Sequence, residues 1–366
     1  MVVRMRQPYL RRDHTIDLAG THIEEINIKD PIMDFYVKLA ATNGLTSNIG
    51  QPMVDVLHSI EIVDGSDVLW SLDSEEILAN QLYHYKESTS FGMDERGGKE
   101  QACVWKVPLG IGRMHPDVAF DPTRFANPQM VITWDLEPLR VIGAEGYVDP
   151  KDLTLTIMAD VIDEAPTRPT GYLMTKQITE YTTVAGEHRI ELPVDYAYRT
   201  MYVRAFKAST CPETQVEWVK HGLNEDKYKP FHIYTDDWTE WLKEWYGKWH
   251  QGYWYYIPDV TEVTKNPYLR GNLSASVEGS VAADDVVLPS LAGCELVIKT
   301  ANATGTDVHA KADGALPFGT WAWPYGDPET PEEWLQLTRE DKSRLTVNAA
   351  IDDAMVQVFL TQHRMY

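Results

Sequence analysis

The amino-acid sequence predicts an all-β protein built from two tandem modules, each made of two packed antiparallel sheets. Short runs that alternate apolar and polar residues dominate the 366-residue chain, as half-buried strands do. The 21 prolines and 23 glycines are scattered along it, which is typical of many strands joined by turns. Similar runs also recur in the two halves at one fixed spacing, which indicates a duplicated unit.

The first half contains six strand-like runs and one predicted helix. The helix covers residues 73–85, DSEEILANQLYHY. Asp73 can act as its N-cap, and Glu76, three residues later, completes a capping box. The strand-like runs are IEEINI (23–28), DFYVKL (34–39), HSIEIV (58–63), ACVWKV (102–107), QMVITW (129–134) and DLTLTIMADV (152–161).

A segment with two prolines and a glycine, EAPTRPTG (164–171), separates the halves. It has no hydrophobic periodicity and is predicted to be a linker. Strand-like runs then resume: HRIELPV (188–194), TMYVRAF (200–206), QVEWVKH (215–221), PFHIYT (230–235), GYWYYI (252–257), CELVIKT (294–300) and AMVQVFL (354–360).

The internal repeat rests on two anchors. DFYVKLAAT aligns with TMYVRAFKA, and FANPQMVIT aligns with LAGCELVIK, both at a spacing of 166 positions, as Phe35/Met201 and Met130/Leu296 show. Between the anchors, both halves read strand, turn, strand and then a helix, with Asp237 and Glu240 in the capping-box positions of the second one. Each predicted helix is followed by an aromatic strand that ends in proline, VWKVPL (104–109) or YYIPD (255–259).

A unit of about eight strands with one inserted helix most naturally forms an eight-stranded jelly roll. A long loop insertion is predicted at about 300–345 in the second module, with a helix start at Thr330, Pro331 and Glu333. The predicted organisation is a basic N-terminal arm (1–13), a first jelly roll (14–165), a linker (166–170) and a second jelly roll (171–366).

Composition narrows the possible functions. The net charge of −22 argues against sequence-specific binding of nucleic acid over most of the surface. We expect no secretory signal, because the basic start lacks an apolar region, and no membrane span. The three cysteines, Cys103, Cys211 and Cys294, are far apart, and they predict small buried side chains with no disulfide framework.

No catalytic, metal or cofactor motif stands out, so we expect no enzyme activity and no cofactor. The eleven histidines are dispersed, with no HExxH, and no CxxC pair occurs. His84, His221 and His232 are expected at strand edges or on the surface. Acidic clusters leave open a divalent ion at a subunit contact.

The segment DDWTEWLKEWYGKWHQGYWYY (236–256) has an unusual density of tryptophan. On a helix, Trp238, Trp241, Trp245 and Trp249 share one face. The corresponding helix of the first half carries aliphatic residues there, so we expect a packing helix, within the module or against another subunit. Gly247 can end the helix, which leaves the place of Trp249 open. The alternative is a ligand platform of stacked aromatic rings.

These features together resemble the double jelly-roll major capsid proteins of the PRD1–adenovirus lineage. The resemblance covers roughly residues 14–366. It rests on the tandem modules, on HSIEIVDGSDVLWSLDSEE and its counterpart at 217–240, on PQMVITWDL and on the final strand MVQVFLTQHRMY. Such proteins coat tailless icosahedral viruses, many of bacteria or archaea and often with an internal membrane.

The resemblance implies a homotrimer of two-module subunits that forms a six-cornered capsomer in the virion shell, assembled in the host cytoplasm. Further implied partners are minor capsid or penton proteins. The N-terminal arm would face the interior, where each charge near anionic lipid or genome contributes about 1 kcal/mol. Four arginines carry this expected contact: Arg4, Arg6, Arg11 and Arg12. A disordered basic tail without a partner is the alternative.

Two other functions remain open from the sequence. Tandem jelly rolls also occur in glycan-cleaving proteins, and lectins use surface tryptophans, so a glycan-binding or glycan-cleaving protein is one alternative. That function would require a compact group of acids at the junction of the modules. A minor capsid or spike protein is the other alternative, because it would share the fold class.

Overall fold

The computed structural model describes residues 4–45, 47–86, 93–112, 115–137, 147, 153–163, 168–258, 262–278, 286–290, 293–300, 305–339 and 341–366. Strands dominate these residues, and the all-β prediction is confirmed. No helix in these ranges is long and apolar enough to cross a membrane.

Nine strands make up the first half of the chain, and a helix, α1 (Ser74–Tyr85), follows the sixth of them. Short 3-10 helices occur at Met53–Val56 and Pro122–Arg124. The strands are β1 (Arg4–Arg6), β2 (Tyr9–Thr15), β3 (Ala19–Glu25), β4 (Ile32–Thr42), β5 (Leu57–Asp64), β6 (Asp67–Asp73), β7 (Glu100–Pro108), β8 (Pro128–Asp135) and β9 (Thr154–Asp163).

The second half contains the remaining strands, β10 to β25, two helices, α2 (Pro212–Gln215) and α3 (Thr235–Tyr246), and a 3-10 turn at Pro331–Glu333. The strands are β10 (Gly171–Thr182), β11 (Gly186–Leu192), β12 (Ala197–Phe206), β13 (Val216–Leu223), β14 (Tyr228–Tyr234), β15 (Trp249–Ile257), β16 (Glu262–Lys265), β17 (Leu269–Arg270), β18 (Ser274–Val277), β19 (Val286–Ser290), β20 (Glu295–Lys299), β21 (Thr306–Gly314), β22 (Leu316–Pro317), β23 (Thr320–Pro324), β24 (Ser343–Ala349) and β25 (Met355–Met365).

Both halves have the interleaved strand order of a jelly roll. In the first module, sheet I has the order β2–β9–β4–β7, with β1 also paired to β9, and sheet II has the order β3–β8–β5–β6. In the second module, sheet III is β10–β25–β12–β23 and sheet IV is β11–β24–β13–β14. In the described residues, each module therefore contains two sheets with four strand positions, one of which β1 and β2 share in sheet I, and neighbouring strands come from distant parts of the chain.

Alternating burial shows why these runs form half-buried strands. In β8, Met130, Ile132 and Trp134 are buried, while the residues between them are partly exposed. Along β12 and most of β25, by contrast, both faces are buried. One face of sheet III packs on the core of its own module, and its other face is covered by the first module.

The two modules share a continuous sheet. Strand β10 pairs in parallel with β6 at Lys176 and Ser71, so sheets II and III join edge to edge into eight strands. Helix α1 directly follows β6 and contacts sheet III. Its Asn80 donates to Thr361 at 3.4 Å, and its Tyr83 hydroxyl donates to the carbonyl of Thr320 at 2.6 Å. The modules thus share backbone pairing as well as side-chain contacts.

The insertion of the second module lies at residues 249–317, between α3 and β23. It forms two three-stranded sheets, β15–β21–β18 and β16–β20–β19, and the pair β17–β22. Tyr253, Leu296 and Ile298 belong to its own buried core. The predicted position, about 300–345, is wrong, because β23 and β24 pair within sheets III and IV.

The strand order confirms the first repeat anchor and contradicts the second. Strands β4 and β12 occupy the same place in sheets I and III. The counterpart of β8 is β24 rather than β20, which lies in the insertion. Likewise, the counterpart of β7 is β23 rather than β15. The prediction failed there because an insertion of unknown length breaks the constant spacing.

The first residues of the described chain form strands of sheet I. Strand β1 pairs with the end of β9, and β2 pairs with the rest of it. Residues 4–13 therefore do not form a separate arm, because their backbone hydrogen bonds are made within the first module. The predicted linker, 166–170, falls partly outside the described residues, and the other module boundaries stay predictions.

The three predicted helix starts have different outcomes. The capping box of α1 is present: Asp73 accepts from the backbone of Glu76, whose side chain accepts from the backbone of Asp73. Helix α3 begins earlier than predicted, at Thr235, so Asp237 and Glu240 lie inside it. Thr330 precedes the short turn at Pro331–Glu333 but makes no side-chain cap bond.

Candidate interaction surfaces and the cavity between the modules

The tryptophans of α3 divide into a buried and an exposed set. Trp238 is 8% exposed and Trp249 is 5% exposed, whereas Trp241 and Trp245 are 56% and 51% exposed. Helix α3 ends at Gly247, whose φ of 76° lies in the region that favours glycine. Trp249 therefore lies in β15 and does not belong to the helix face on which it was placed.

Trp238 anchors α3 to sheet III. Its ring stacks on Trp323 at 6.0 Å between centroids, and its Nε1 donates to the carbonyl of Ala322 at 3.0 Å. Trp321 donates to the hydroxyl of Thr239 at 2.9 Å. Both indole N–H groups are thus satisfied while the rings are buried, as buried tryptophan requires. Trp238 therefore packs within its own module.

Trp241 and Trp245 form an exposed aromatic surface. They contact each other with an edge-on geometry at 6.3 Å, and Trp245 also meets Trp238 edge-on at 5.4 Å. More than half of each outer side chain still faces solvent. Two neighbouring exposed tryptophans are unusual on a free surface and are typical of an interface.

The equivalent helix of the first module has no such surface. In α1, Asn80 and Tyr83 are buried against the second module. Glu75 forms an ion pair with Arg204 of β12. Helix α1 is therefore covered by sheet III of the same chain, while the outer face of α3 has no covering element in the described residues.

The predicted basic residues lie in strands rather than in a free arm. All four are exposed and belong to β1 or β2: Arg4, Arg6, Arg11 and Arg12. Arg6 pairs with Asp30 at 2.7 Å, and Arg11 pairs with Glu24 at 2.6 Å. Acids of the same chain thus partly neutralise this charge. That these arginines face a shell interior stays a prediction.

A cavity of about 430 Å³ lies where the two modules meet the insertion. The first module contributes Asp55 and Glu75, the second contributes Arg204, and the insertion contributes Lys265 and Arg270. A glycan-cleaving protein would need a group of acids at the junction of the modules, and Asp55 and Glu75 form such a group. It is balanced by at least as many cations.

Burial raises the pKa of both cavity acids. Asp55 is exposed at the cavity, but the surrounding protein atoms desolvate its carboxylate, and this effect, with repulsion from Glu75, raises the pKa of Asp55 to about 7. Burial also raises the pKa of Glu75, against the opposing effect of Arg204. Burial lowers the pKa of Arg270.

A second ion pair attaches the insertion to the first module. Glu95 is fully buried and accepts from Nζ of Lys265 at 2.9 Å through both carboxylate oxygens. It also accepts from the backbone of Gly50 at 2.9 Å and of Tyr256 at 2.7 Å. Four hydrogen bonds from three donor groups thus satisfy the buried carboxylate, and they fix the loop before β7 against β15 and β16.

Two of the cysteines form a disulfide, which contradicts the prediction of three separate thiols. Cys211, just before α2, bonds to Cys294, just before β20, and Cys103 is free and buried. Among the described residues, the acid and thiol group that could hold a metal comprises Cys211, Glu213 and Cys294. Its two sulfurs are joined in this disulfide.

The histidine predictions have mixed outcomes. His232 is exposed, as predicted, while His84 is only partly exposed. His221 is fully buried, which contradicts the prediction of an edge or surface position. Its ring nitrogens lie 2.9 Å from the hydroxyl of Ser343 and 2.7 Å from that of Tyr325. Burial lowers the pKa of His221 to about 4.

Sequence reasoning missed the ionic residues at the junction. Glu75 was assigned only to a helix, and Arg204 only to a strand. A signal was present in the first repeat anchor, where Tyr36 and Lys38 align with Tyr202 and Arg204. An aromatic residue and a cation, repeated on the same face of equivalent strands, indicate a shared contact surface.

The comparisons with known proteins agree with this architecture. No family model and no curated protein matches the sequence. Among solved structures, the chain is similar to the major capsid protein of Sulfolobus turreted icosahedral virus, with a TM-score of 0.61 and 9% identity over 98% of this chain and 96% of that one.

Two further solved structures cover nearly the whole chain. The major capsid protein of bacteriophage PM2 has a TM-score of 0.55 and 10% identity, covering 99% of this chain and 98% of that chain. A chain of the PBCV-1 virus capsid has a TM-score of 0.59 and 9% identity, covering 99% and 94%. At this identity the likeness shows the fold. The chain has the double jelly-roll fold of these viral major capsid proteins.

Proposed function

We propose that the chain is a major capsid protein that self-assembles as pseudo-hexameric homotrimers to form an icosahedral viral shell. The observation that carries this proposal is the presence of two complete jelly rolls in one chain, joined edge to edge through β6 and β10. Viral major capsid proteins share this arrangement over nearly their full length. The protein is then a component of the virion, assembled in the host cytoplasm.

The physical basis of the proposal is the asymmetry of the module surfaces. One end of the chain presents sheet I with a partly exposed outer face, and the other end presents α3 with its exposed tryptophans. A contact between two different surfaces of identical chains closes into a ring when the rotation allows it. Three chains of two modules each give a ring of six.

The further partners belong to the same proposal. Lattice neighbours, minor capsid or penton proteins, and membrane lipid or genome near the exposed arginines of β1 and β2 complete the shell. For lipid, we expect weak binding that salt abolishes, because Arg6 and Arg11 already have acidic partners. Flotation with phosphatidylglycerol vesicles at low and high salt tests this. Binding that persists at high salt would contradict it.

Light scattering of the purified protein tests the assembly directly. We expect a particle of three times the chain mass of 41.7 kDa. A monomer at micromolar concentration would contradict the proposal. A minor capsid or spike protein fits less well, since two modules per chain serve a six-cornered capsomer directly.

The cavity acids favour a second candidate, a glycan-binding or glycan-cleaving protein. Asp55, with a pKa of about 7, could act as a general acid next to Glu75. The ion pair between Glu75 and Arg204 opposes this function, because it occupies the second carboxylate. Release of reducing ends from peptidoglycan or chitin, lost in Asp55→Asn, would support the second candidate. No release would exclude cleavage of these substrates.

A further inference from the structure

We infer that α3 of one copy docks on the outer face of sheet I of a second copy, where Asp236 pairs with Lys38. This inference rests on the proposed function, since it names the contact that would join the subunits. It is derived from a contact that the chain already makes within itself, between α1 and sheet III. The two modules place equivalent residues on equivalent surfaces. Among the described residues, α1 and the outer face of sheet III are in contact within the chain, whereas α3 and the outer face of sheet I are not.

The template is the contact of α1 with the outer face of sheet III. Glu75 forms an ion pair with Arg204 of β12. Asn80 donates to Thr361 of β25 at 3.4 Å, and Tyr83 donates to the carbonyl of Thr320 in β23 at 2.6 Å. One helix thus touches three neighbouring strands of the other module.

The two helices correspond residue by residue. Each has twelve residues. Helix α1 directly follows β6, the end strand of sheet II, and α3 directly follows β14, the end strand of sheet IV. The first residue of each helix donates its hydroxyl to a carbonyl near the start of the hairpin that precedes it. Ser74 donates to Val54, just before β5, and Thr235 donates to Val216, the first residue of β13. The second residues are therefore equivalent. They are Glu75 and Asp236, both acidic.

The two receiving strands correspond as well. On β12, Tyr202 and Arg204 pair with Phe359 and Gln357 of β25 and face α1. On β4, the matching positions are Tyr36 and Lys38, which pair with Met158 and Thr156 of β9. An aromatic residue followed two positions later by a cation is kept on both outer faces. Lys38 therefore takes the place of Arg204.

Exposure shows that α3 and the outer face of sheet I are not covered in the described chain. Arg204 is 2% exposed, whereas the side chain of Lys38 is 39% exposed. Counting from the helix starts, Trp241 and Trp245 match Asn80 and His84. Asn80 is 1% exposed, and Trp241 is 56% exposed. The large apolar groups of α3 thus occupy the positions that contact the other module in α1.

One exposed charge on each surface is available for pairing across the contact, Asp236 on α3 and Lys38 on sheet I. Four acids of α3 are exposed, and one of them, Glu240, already pairs with Lys243 of the same helix; the four are Asp236, Asp237, Glu240 and Glu244. The outer face of sheet I carries Lys38 and Lys106 together with the acids that pair with them, Glu100 and Asp34. Lys38 has only a long contact to Glu100, at 3.8 Å, and Lys106 pairs with Asp34 at 3.3 Å. Lys38 can therefore exchange an exposed partner for Asp236 when the surfaces meet.

The sheet edges beside the helices support the same docking. Within the chain, α1 sits beside the edge where β6 meets β10. In the proposed contact between two copies, β14 takes the place of β6 and β2 takes the place of β10. Each is an edge strand in the described sheets. Exposed tyrosines occur on both of them: Tyr228 and Tyr234 on β14, and Tyr9 on β2. Edge strands with exposed aromatic residues are suited to association.

Charge reversal with rescue tests the docking. We expect Lys38→Glu and Asp236→Lys each to raise the dissociation constant of the trimer by about 10-fold or more, because like charges then face each other. The double variant K38E/D236K restores the opposite charges and should return the constant to within about 3-fold of wild type. The control is Lys299→Glu, which reverses an exposed, paired charge on the insertion.

A second pair of variants tests the aromatic part. Trp241→Ser with Trp245→Ser should weaken the trimer, while Val286→Ser with Leu288→Ser, which removes exposed apolar groups from the insertion, should not. If the wild type is a trimer and both single reversals behave like Lys299→Glu, the docking is wrong and the proposed function stands. If the wild type is a monomer, the proposed function itself fails.

Discussion

Glu75 of α1 and Arg204 of β12 form an ion pair that joins the two jelly rolls of the chain. Arg204 is 2% exposed and also donates to the carbonyl of Phe318 at 3.0 Å and to Gln357 at 2.6 Å. One side chain thus connects the helix of the first module, strand β25 of the second module and the residue that follows the insertion. Its guanidinium geometry suits such multiple contacts.

Arg204→Met is expected to lower the free energy of unfolding by about 3–5 kcal/mol, because Glu75 loses its partner in a low-dielectric junction. Urea unfolding at one fixed protein concentration measures the change. The control Arg189→Met removes an exposed arginine paired with Glu187, and it should change stability by less than about 1 kcal/mol. Equal effects of both substitutions would contradict the role given to Arg204.

Glu95→Gln should loosen the insertion, because it leaves the ammonium of Lys265 buried without its charged partner. We expect faster proteolysis within residues 249–317 and a loss of about 3–5 kcal/mol. The double variant E95Q/K265M removes both charges and should recover much of this loss. If proteolysis of E95Q matches wild type, the ion pair does not hold the insertion in place.

Asp55 should make stability fall as the pH rises. Its pKa is raised to about 7 in the folded protein, above the usual value of about 4 for an unfolded chain. The folded state therefore holds the proton more tightly. The stabilisation from Asp55 is complete below about pH 4 and is lost as the pH rises through 7.

The matching experiment compares wild type with Asp55→Asn, which keeps the shape and cannot ionise. We expect the unfolding midpoint of wild type to decrease relative to that of the variant between pH 4 and pH 8. The variant should be the more stable protein at pH 8. Two curves that run parallel over this range would contradict the raised pKa.

The disulfide between Cys211 and Cys294 should stabilise the junction of the insertion with the second module. It closes a loop over a sequence separation of 83 residues, for which chain entropy gives up to about 4 kcal/mol. We expect dithiothreitol to lower the urea midpoint of wild type. The variant C211S/C294S should have this lower midpoint and no response to reductant. A wild-type midpoint that ignores reductant would show that the bond does not contribute.

Alternation of side chains was enough to predict the all-β class and the two modules. It worked for β8 and β7, where one face meets the core and the other is partly exposed. The anchor between β4 and β12 also held, because both strands lie at the same place in their sheets. The second anchor matched CELVIK, which lies in the insertion, with β8, since any half-buried strand alternates in the same way.

Long-range contacts explain the remaining differences. The start of α3 is set by Thr235, whose hydroxyl bonds to the carbonyl of Val216 in a neighbouring strand, so capping-box spacing placed it wrongly. Helical periodicity grouped Trp238, Trp241 and Trp245 correctly on one helix, but it could not show that only Trp238 meets sheet III. The partner of Cys211 is equally distant in sequence.

An electron micrograph of the purified particle tests most directly whether the protein forms trimers of two-module chains. We expect a closed ring of six jelly rolls from three chains, with three protrusions, because among the described residues the insertion of two small sheets belongs to the second module of each chain. Images of a single two-lobed chain, or of a particle with two or four chains, would contradict the proposal that this protein is a trimeric subunit of a viral shell.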